Sequence, residues 1–274
     1  MRIRPPALIT AALACAALIT AAPASASTAS CAPAGATWSS TAPQTSQPFG
    51  SYQLASDMWG AVPGSAETIW GDSLAGSWGL CGVTEPPGGD QVKAFSNATL
   101  NLSGEPQAAY NRIRDMFSIA PLPAGADAQF MNDMWVNGLA GSPGAIEIEV
   151  VTDRQEPGVP YGTPLGTADL FGQDFGVYRP MAGNRPYYSF VLEQNETSGT
   201  MHDLAAIRWL IDQGQIPASS RPLQVDVGYE IVTAGSPAAP ASFTVNQYST
   251  VVQMINSTGA ITSPQGQASR SPAP

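Results

Sequence analysis

The fold is decided by the stretch from residue 145 to residue 153, which reads Ala145-Ile146-Glu147-Ile148-Glu149-Val150-Val151-Thr152-Asp153. Apolar and acidic residues alternate through its first half. A period of two is typical of a β-strand that turns one face toward a core. The apolar residues at even positions share one face, and Glu147, Glu149 and Val151 share the other. The stretch therefore predicts a strand with two carboxylates on one side.

Similar short strands, separated by turns rich in Gly and Pro, are predicted along most of the chain. The clearest candidates are Val92–Leu102, Gln129–Asn137, Tyr187–Glu193, Leu223–Val232 and Ala241–Val252. One helix is predicted over about residues 200–213, because apolar residues at 204, 207, 210 and 211 lie on one helical face and Gly214 follows. Many strands and one helix indicate an all-β jelly roll of two packed antiparallel sheets.

The chain divides into three parts. Residues 1–26 have the features of a signal peptide: Arg2 and Arg4, an apolar run over 7–22, and a small-residue cleavage site ending at Ala26. Residues 27–255 form the predicted jelly-roll domain. Residues 256–274 are rich in Ser, Pro, Gln and Gly, which predicts a disordered tail. The expected protein is secreted, and no later segment is apolar enough to predict a membrane anchor.

The charge and the cysteines indicate which ligands and cross-links to expect. Without residues 1–26, 9 basic and 21 acidic residues remain, and this excess disfavours binding to nucleic acid. Of the three cysteines, Cys31 and Cys81 remain, and in an oxidising compartment they are predicted to form one disulfide. A metal site is not predicted, because His202 is the only histidine and a zinc site needs about four ligands.

Carboxylates are the groups left for catalysis. His202 lies at the predicted helix start, and no G-x-S-x-G motif accompanies it. Glycoside hydrolysis, by contrast, needs two carboxylates that face one cleft. Residues 225–232 resemble 145–153 in alternation, and Asp226 and Glu230 share a face there. The simpler interpretation, solvent-facing acids on ordinary strands, stays open on periodicity alone.

Several motifs in order resemble glycoside hydrolase family 12, a family of endoglucanases and xyloglucanases on a β-jelly roll. The family's strand E-[IL]-M-I-W-[LF] is similar to the stretch that begins at Glu147, and its Y-D-[IL]-[WF] strand is similar to 132–135. Residues 187–191, Tyr-Tyr-Ser-Phe-Val, resemble V-Y-S-F-V, and 228–232, Gly-Tyr-Glu-Ile-Val, resemble G-x-E-P-[FW]. The similarity covers roughly residues 50–255.

The resemblance implies roles for individual residues. Glu147 would be the nucleophile, Glu230 the acid/base, and Asp133 the residue that orients Glu147. Trp59 and Trp135 would stack on sugars, with Trp70 and Trp78 as further candidates for this role. Glu149 would line the substrate site. It stands where the family has Met, as Val151 stands for Trp and Ile231 for Pro, so Glu149 is an alternative nucleophile.

The expected function is that of a retaining endo-β-1,4-glycanase acting on glucan or xyloglucan, with polysaccharide as its partner. A monomer is expected, and nothing in the sequence demands a cofactor. Two alternatives stay open: another secreted carboxylate hydrolase on a related jelly roll, and a carbohydrate-binding or cell-surface protein without activity. Release of reducing ends from a polysaccharide distinguishes the enzymes from the binding protein.

Overall fold

The structure is a computed structural model that describes residues 32–59, 65–83, 92–155, 162–179, 186–235 and 239–263. The predicted signal peptide and Cys31 lie outside these residues, and the predicted Cys31–Cys81 disulfide therefore stays a prediction. Within them the strands are β1 (Trp38–Ser40), β2 (Gln44–Phe49), β3 (Tyr52–Asp57), β4 (Ala66–Asp72), β5 (Ser77–Val83), β6 (Ala94–Asn101), β7 (Tyr110–Ile119), β8 (Asp127–Val136), β9 (Ile146–Gln155), β10 (Thr163–Asp169), β11 (Asp174–Arg179), β12 (Tyr187–Leu192), β13 (Ser198–Met201), β14 (Pro222–Thr233), β15 (Ala241–Ile255) and β16 (Ile261–Thr262), and the α-helix is α1 (Asp203–Asp212).

The strands form two sheets, as the all-β prediction required. Nine strands pair in the order β10-β11-β12-β9-β8-β14-β6-β3-β2, and seven form the other sheet in the order β1-β4-β5-β15-β7-β13, with β16 paired to β15. The described pairs are antiparallel except that of β9 with β12, which is parallel. The jelly-roll prediction is confirmed, and strands form at residues 145–153 and at the five other predicted positions.

The core lies between the two sheets and depends on the alternation seen in the sequence. Ile148 and Val150 of β9 are buried in it. Aromatic rings connect the sheets: Tyr229 of β14 lies 5.1 Å from Phe130 of β8 and 5.1 Å from Phe243 of β15, between ring centroids. Because β9, β8 and β14 turn their apolar residues inward, their residues of opposite parity must face outward.

The helix begins later than predicted. Ser198–Met201 form β13, which pairs with β7, so α1 starts only at Asp203. Its end agrees with the prediction: the N–H of Gly214 donates to the carbonyl of Ile211, and Gly214 has a φ of +67°, which glycine adopts without strain. Leu204, Ile207 and Leu210 are buried, as the sequence pattern indicated.

The first residues of the predicted disordered tail are structured. Residues 256–260 make a turn in which Asn256 N–H donates to Ala260 O, and β16 then returns to pair with β15. Residues 264–274 lie outside the described part of the chain. No helix among the described residues is long and apolar enough to cross a membrane.

A buried polar network crosses the core beneath the central strand β8. The Asn132 amide donates to Asp115 of β7 at 2.6 Å and to Asp203 of α1 at 2.7 Å. The two carboxyls lie close enough for each to influence the pKa of the other. Burial is the main cause that raises the pKa of both groups. The network ties β8 to the helix and to the opposite sheet.

We expect the stability of the Asp203→Asn variant to fall less steeply with rising pH than that of the wild type. A buried acid whose pKa is raised binds its proton more tightly in the folded state, so its contribution to stability is complete below about pH 4 and is lost as the pH rises. Asn mimics the protonated form and does not titrate. Thermal unfolding between pH 4 and 9 measures the slope. Asp212→Asn, at the exposed end of the same helix, is the control, and equal slopes for the two variants would contradict the expectation.

Candidate active site

The predicted catalytic residues lie on the side of the nine-stranded sheet that faces away from the core. Glu147 and Glu149 of β9 share this side with Asp133 of β8, because Asp133 pairs with Glu149. Asp226 of β14 pairs with Asp133, and Glu230 follows four residues later with no interruption of the register. All five carboxyls therefore project from one surface, which we call the acidic face.

Three of these acids form a row across the sheet. Glu149, Asp133 and Asp226 are direct neighbours on three adjacent strands. The row continues with Ser189 of β12 on one side and Thr99 of β6 on the other. Glu147 lies in the neighbouring row opposite Trp135. The sequence prediction that Glu147 and Glu230 face the same side is thus met.

Asp133 is nearly buried, at 5% exposure, and it is positioned to influence Glu147. Burial and then the charge of Glu147 raise the pKa of Asp133 well above its usual value. Smaller contributions come from Asp226, Glu149 and Glu230. An aspartic acid that keeps its proton beside a glutamate can donate a hydrogen bond to it, which is the behaviour expected of an orienting residue.

Glu230 has the properties of a general acid. Burial raises its pKa to about 7, the charge of Glu147 adds to this, and a hydrogen bond from the Gln129 amide acts in the opposite direction. Glu230 is partly buried. A carboxyl with a pKa near 7 is protonated in neutral or mildly acidic solution and can give its proton to a leaving group.

Glu149 is more enclosed than its neighbours. It is 3% exposed, and the Tyr187 hydroxyl donates to one of its carboxyl oxygens. Burial and the charges of Glu230 and Glu147 raise its pKa well above the usual range, while the bond from Tyr187 lowers it. Glu147 itself is half-buried.

Asp226 and Trp135 also interact on the acidic face. Burial raises the pKa of Asp226 to about 7, and a hydrogen bond from the Trp135 indole and the neighbouring Thr99 act against it. The indole N–H is the only donor of a tryptophan side chain, so this bond fixes the ring's orientation. Trp135 is buried and lies in the row of Glu147, and its contact with a sugar stays a prediction.

The other tryptophans predicted to stack on sugars differ in their exposure. Trp59 is 54% exposed and follows two residues after β3, an outer strand of the same sheet, so its surface is available to a ligand. The prediction for Trp78 is wrong, because its side chain is fully buried in the core, 6.1 Å from Tyr229 between ring centroids. Trp70 belongs to the seven-stranded sheet and is also buried.

Three residues of the site were not assigned roles from the sequence: Gln129, Tyr187 and Asp226. Asp226 shares the alternation of Glu230, and that signal was available. Gln129 becomes a partner of Glu230 only through the register of β8 with β14, and Tyr187 meets Glu149 only through the parallel pairing of β12 with β9. No group of three or more His, Cys, Asp or Glu residues within the described ranges is suited to hold a metal ion.

The fold and the acidic face define a class: a jelly roll with paired carboxylates on the side of a sheet that faces away from the core. Solved structures show the same fold. The chain superimposes on a cellulase derived from Rhodothermus marinus Cel12A with a TM-score of 0.69 and 19% identity, covering 79% of this chain and 99% of the other. The xyloglucanase domain of NopAA from Sinorhizobium fredii, in complex with cellobiose, gives 0.67 and 20%, covering 79% and 99%.

Sequence comparison agrees with the fold. The chain is 27% identical over 218 residues to a probable xyloglucan-specific endo-β-1,4-glucanase A of Aspergillus fumigatus, covering 74% of this chain and 87% of the relative. The counterpart from Neosartorya fischeri is 28% identical over the same length and coverage. No protein-family profile matches the chain. By fold and by sequence the chain is similar to enzymes of glycoside hydrolase family 12.

We expect Gln129→Leu to raise the pKa of Glu230 above its value of about 7 by about one pH unit, because the variant loses the amide donor that favours the ionised carboxylate. Carboxyl carbon shifts followed by NMR between pH 4 and 9 measure the titration. Gln224→Leu is the matched control, since the Gln224 amide donates to Asn101 instead. A fall in the Glu230 pKa, or equal shifts in both variants, would contradict this assignment.

Proposed function

We propose that the protein is a secreted endo-β-1,4-glycanase that hydrolyses xyloglucan or a related β-1,4-glucan with retention of configuration. The observation that carries the proposal is the presence of Glu147 and Glu230, both partly accessible, on one face of a family 12 jelly roll. The curated relatives are named as xyloglucan-specific enzymes, which supports this substrate class. The predicted signal peptide supports secretion.

In the proposed reaction, Glu147 attacks the anomeric carbon while Glu230 protonates the glycosidic oxygen of the leaving chain. The bond between the anomeric carbon and that oxygen breaks, and a covalent glycosyl ester forms on Glu147. Glu230, now ionised, takes a proton from water, the water oxygen attacks the anomeric carbon, and the ester bond to Glu147 breaks. Two inversions at one carbon give net retention.

The electrostatics of the site support this division of roles. Glu230 needs a proton at the start of the cycle, and its pKa of about 7 supplies one. Asp133, protonated beside Glu147, can hold the nucleophile and keep its charge localised on the oxygen that attacks. Asp226 fixes Trp135, whose ring lies in the row of Glu147 and can contribute an apolar surface for a sugar ring.

The purified protein is expected to release reducing ends from tamarind xyloglucan or carboxymethylcellulose. Glu147→Gln and Glu230→Gln should each lower kcat/KM by about 10³-fold, because each removes a group required in a transition state. Glu193→Gln, an exposed site just after β12, is the matched control and should retain wild-type activity. Circular dichroism verifies that all three variants fold.

Two further measurements test whether the configuration is retained and whether the protein binds polysaccharide without cleaving it. Proton NMR of the first product formed should show the β-anomer, whereas an α-anomer would rule out retention. A wild-type protein that is retarded in a xyloglucan-containing gel but releases no reducing ends would favour the non-catalytic carbohydrate-binding function and refute the enzymatic one.

A further inference from the structure

Two positions at which this chain departs from the family 12 motifs lie against each other in the structure. Glu149 stands where E-[IL]-M-I-W has Met, and Tyr187 stands where V-Y-S-F-V has Val. The motif residues are both apolar, whereas here the Tyr187 hydroxyl donates to the Glu149 carboxyl. A tyrosine and a glutamate have thus replaced two apolar residues at positions that meet across β9 and β12.

The burial of Glu149 argues against its use as the nucleophile. A nucleophile must approach the anomeric carbon directly, and Glu149 is 3% exposed while Glu147 and Glu230 are both partly accessible. The hydrogen bond from Tyr187 also occupies one of its two oxygens. Glu149 therefore acts on the reaction through its neighbours and not by contact with the sugar.

The neighbours of Glu149 decide what it can do. Burial raises its pKa, and the charges of Glu230 and Glu147 add to this, so Glu149 keeps its proton where an ordinary glutamate would be ionised. A protonated carboxyl that accepts a bond from Tyr187 still has its own O–H donor, and this donor can bond to the Glu147 carboxylate, or to Glu230 once Glu230 has given up its proton. Tyr187 also stays protonated, because burial raises its pKa well above the usual value.

We propose that Glu149 and Tyr187 form a positioning pair for the catalytic carboxylates, in which Tyr187 fixes the carboxyl of Glu149 and Glu149 donates a hydrogen bond to Glu147 or Glu230. The inference rests on the proposed function and deepens it by separating the roles of the two glutamates of β9. Glu147 is the nucleophile, and Glu149 is the neutral donor that holds the pair of carboxylates in place.

Glutamine substitution of each glutamate of β9 tests this separation. Gln keeps a donor N–H and cannot act as a nucleophile, so Glu149→Gln should keep at least about a tenth of the wild-type kcat, whereas Glu147→Gln loses about 10³-fold. Glu149→Met, which has no donor, should lower kcat about tenfold or more with KM within about twofold, because positioning acts on the transition state and not on ground-state binding.

A double-mutant cycle tests whether the two residues act as one unit. Tyr187→Val and Glu149→Met each leave one polar group without its partner, while the double variant restores an apolar contact at both positions. The double variant should therefore be no less active than the worse single variant. Tyr188→Phe is the matched control, since the Tyr188 hydroxyl points to the other side of β12 and donates to the carbonyl of Gln215 at 3.1 Å. Its kinetics should match the wild type.

The outcomes separate this inference from the proposed function. An active wild type with an inactive Glu149→Gln variant overturns the positioning pair alone and makes Glu149 a catalytic residue. Losses of Glu149→Met and Tyr187→Val that multiply in the double variant overturn the claim that they act as one unit. An inactive wild type overturns the proposed function and the pair with it. Thermal unfolding verifies that every variant is folded at the assay temperature.

Discussion

The register between three adjacent strands is the constraint on which the rest of the structure depends. β8 pairs with β9 on one side and with β14 on the other, and Asp133 is the point at which both registers bring an acid to an acid. A shift of one residue in either pairing would turn the carboxyls into the core and the valines into solvent. The apolar residues of these strands therefore fix the site as firmly as they fix the fold.

Grouping five carboxyls on one surface costs free energy, because burial and mutual repulsion both oppose their ionisation. The structure reduces this cost in two ways. Some of the acids keep their protons, as the raised pKa values of Asp133 and Glu149 indicate. Others receive uncharged donors, such as Gln129 on Glu230 and Trp135 on Asp226. The electrostatic cost that remains is typical of functional sites, where ionisable groups with shifted pKa values are concentrated.

Much of this arrangement could be predicted from the sequence, and the parts that could not have physical reasons. Alternation in residues 145–153 and 225–232 is a local property, so the strands and the face that each glutamate takes on its own strand followed from it. The pairing of Glu147 with Glu230 on one side was implied by the resemblance to family 12. Pairing register is not local, which is why Gln129 and Tyr187 were missed. Trp78 was misassigned because an aromatic side chain serves a core and a sugar site equally well, and only its place in the core between the sheets distinguishes the two. The late start of α1 reflects tertiary pairing of β13 with β7, which no helical pattern reveals.

Asn132 and Asp133 are consecutive residues of β8 that face opposite sides of the sheet. The first is hydrogen-bonded to the helix and to the opposite sheet, and the second lies among the carboxyls of the outer face. A single peptide unit thus joins the floor of the site to the centre of the molecule, with no loop between them to absorb movement. For that reason the backbone of β8 constrains how this protein can evolve toward a new substrate. Side chains on the outer strands can change one at a time. Any change that moves the backbone of β8 must be accommodated by both sheets and the helix together.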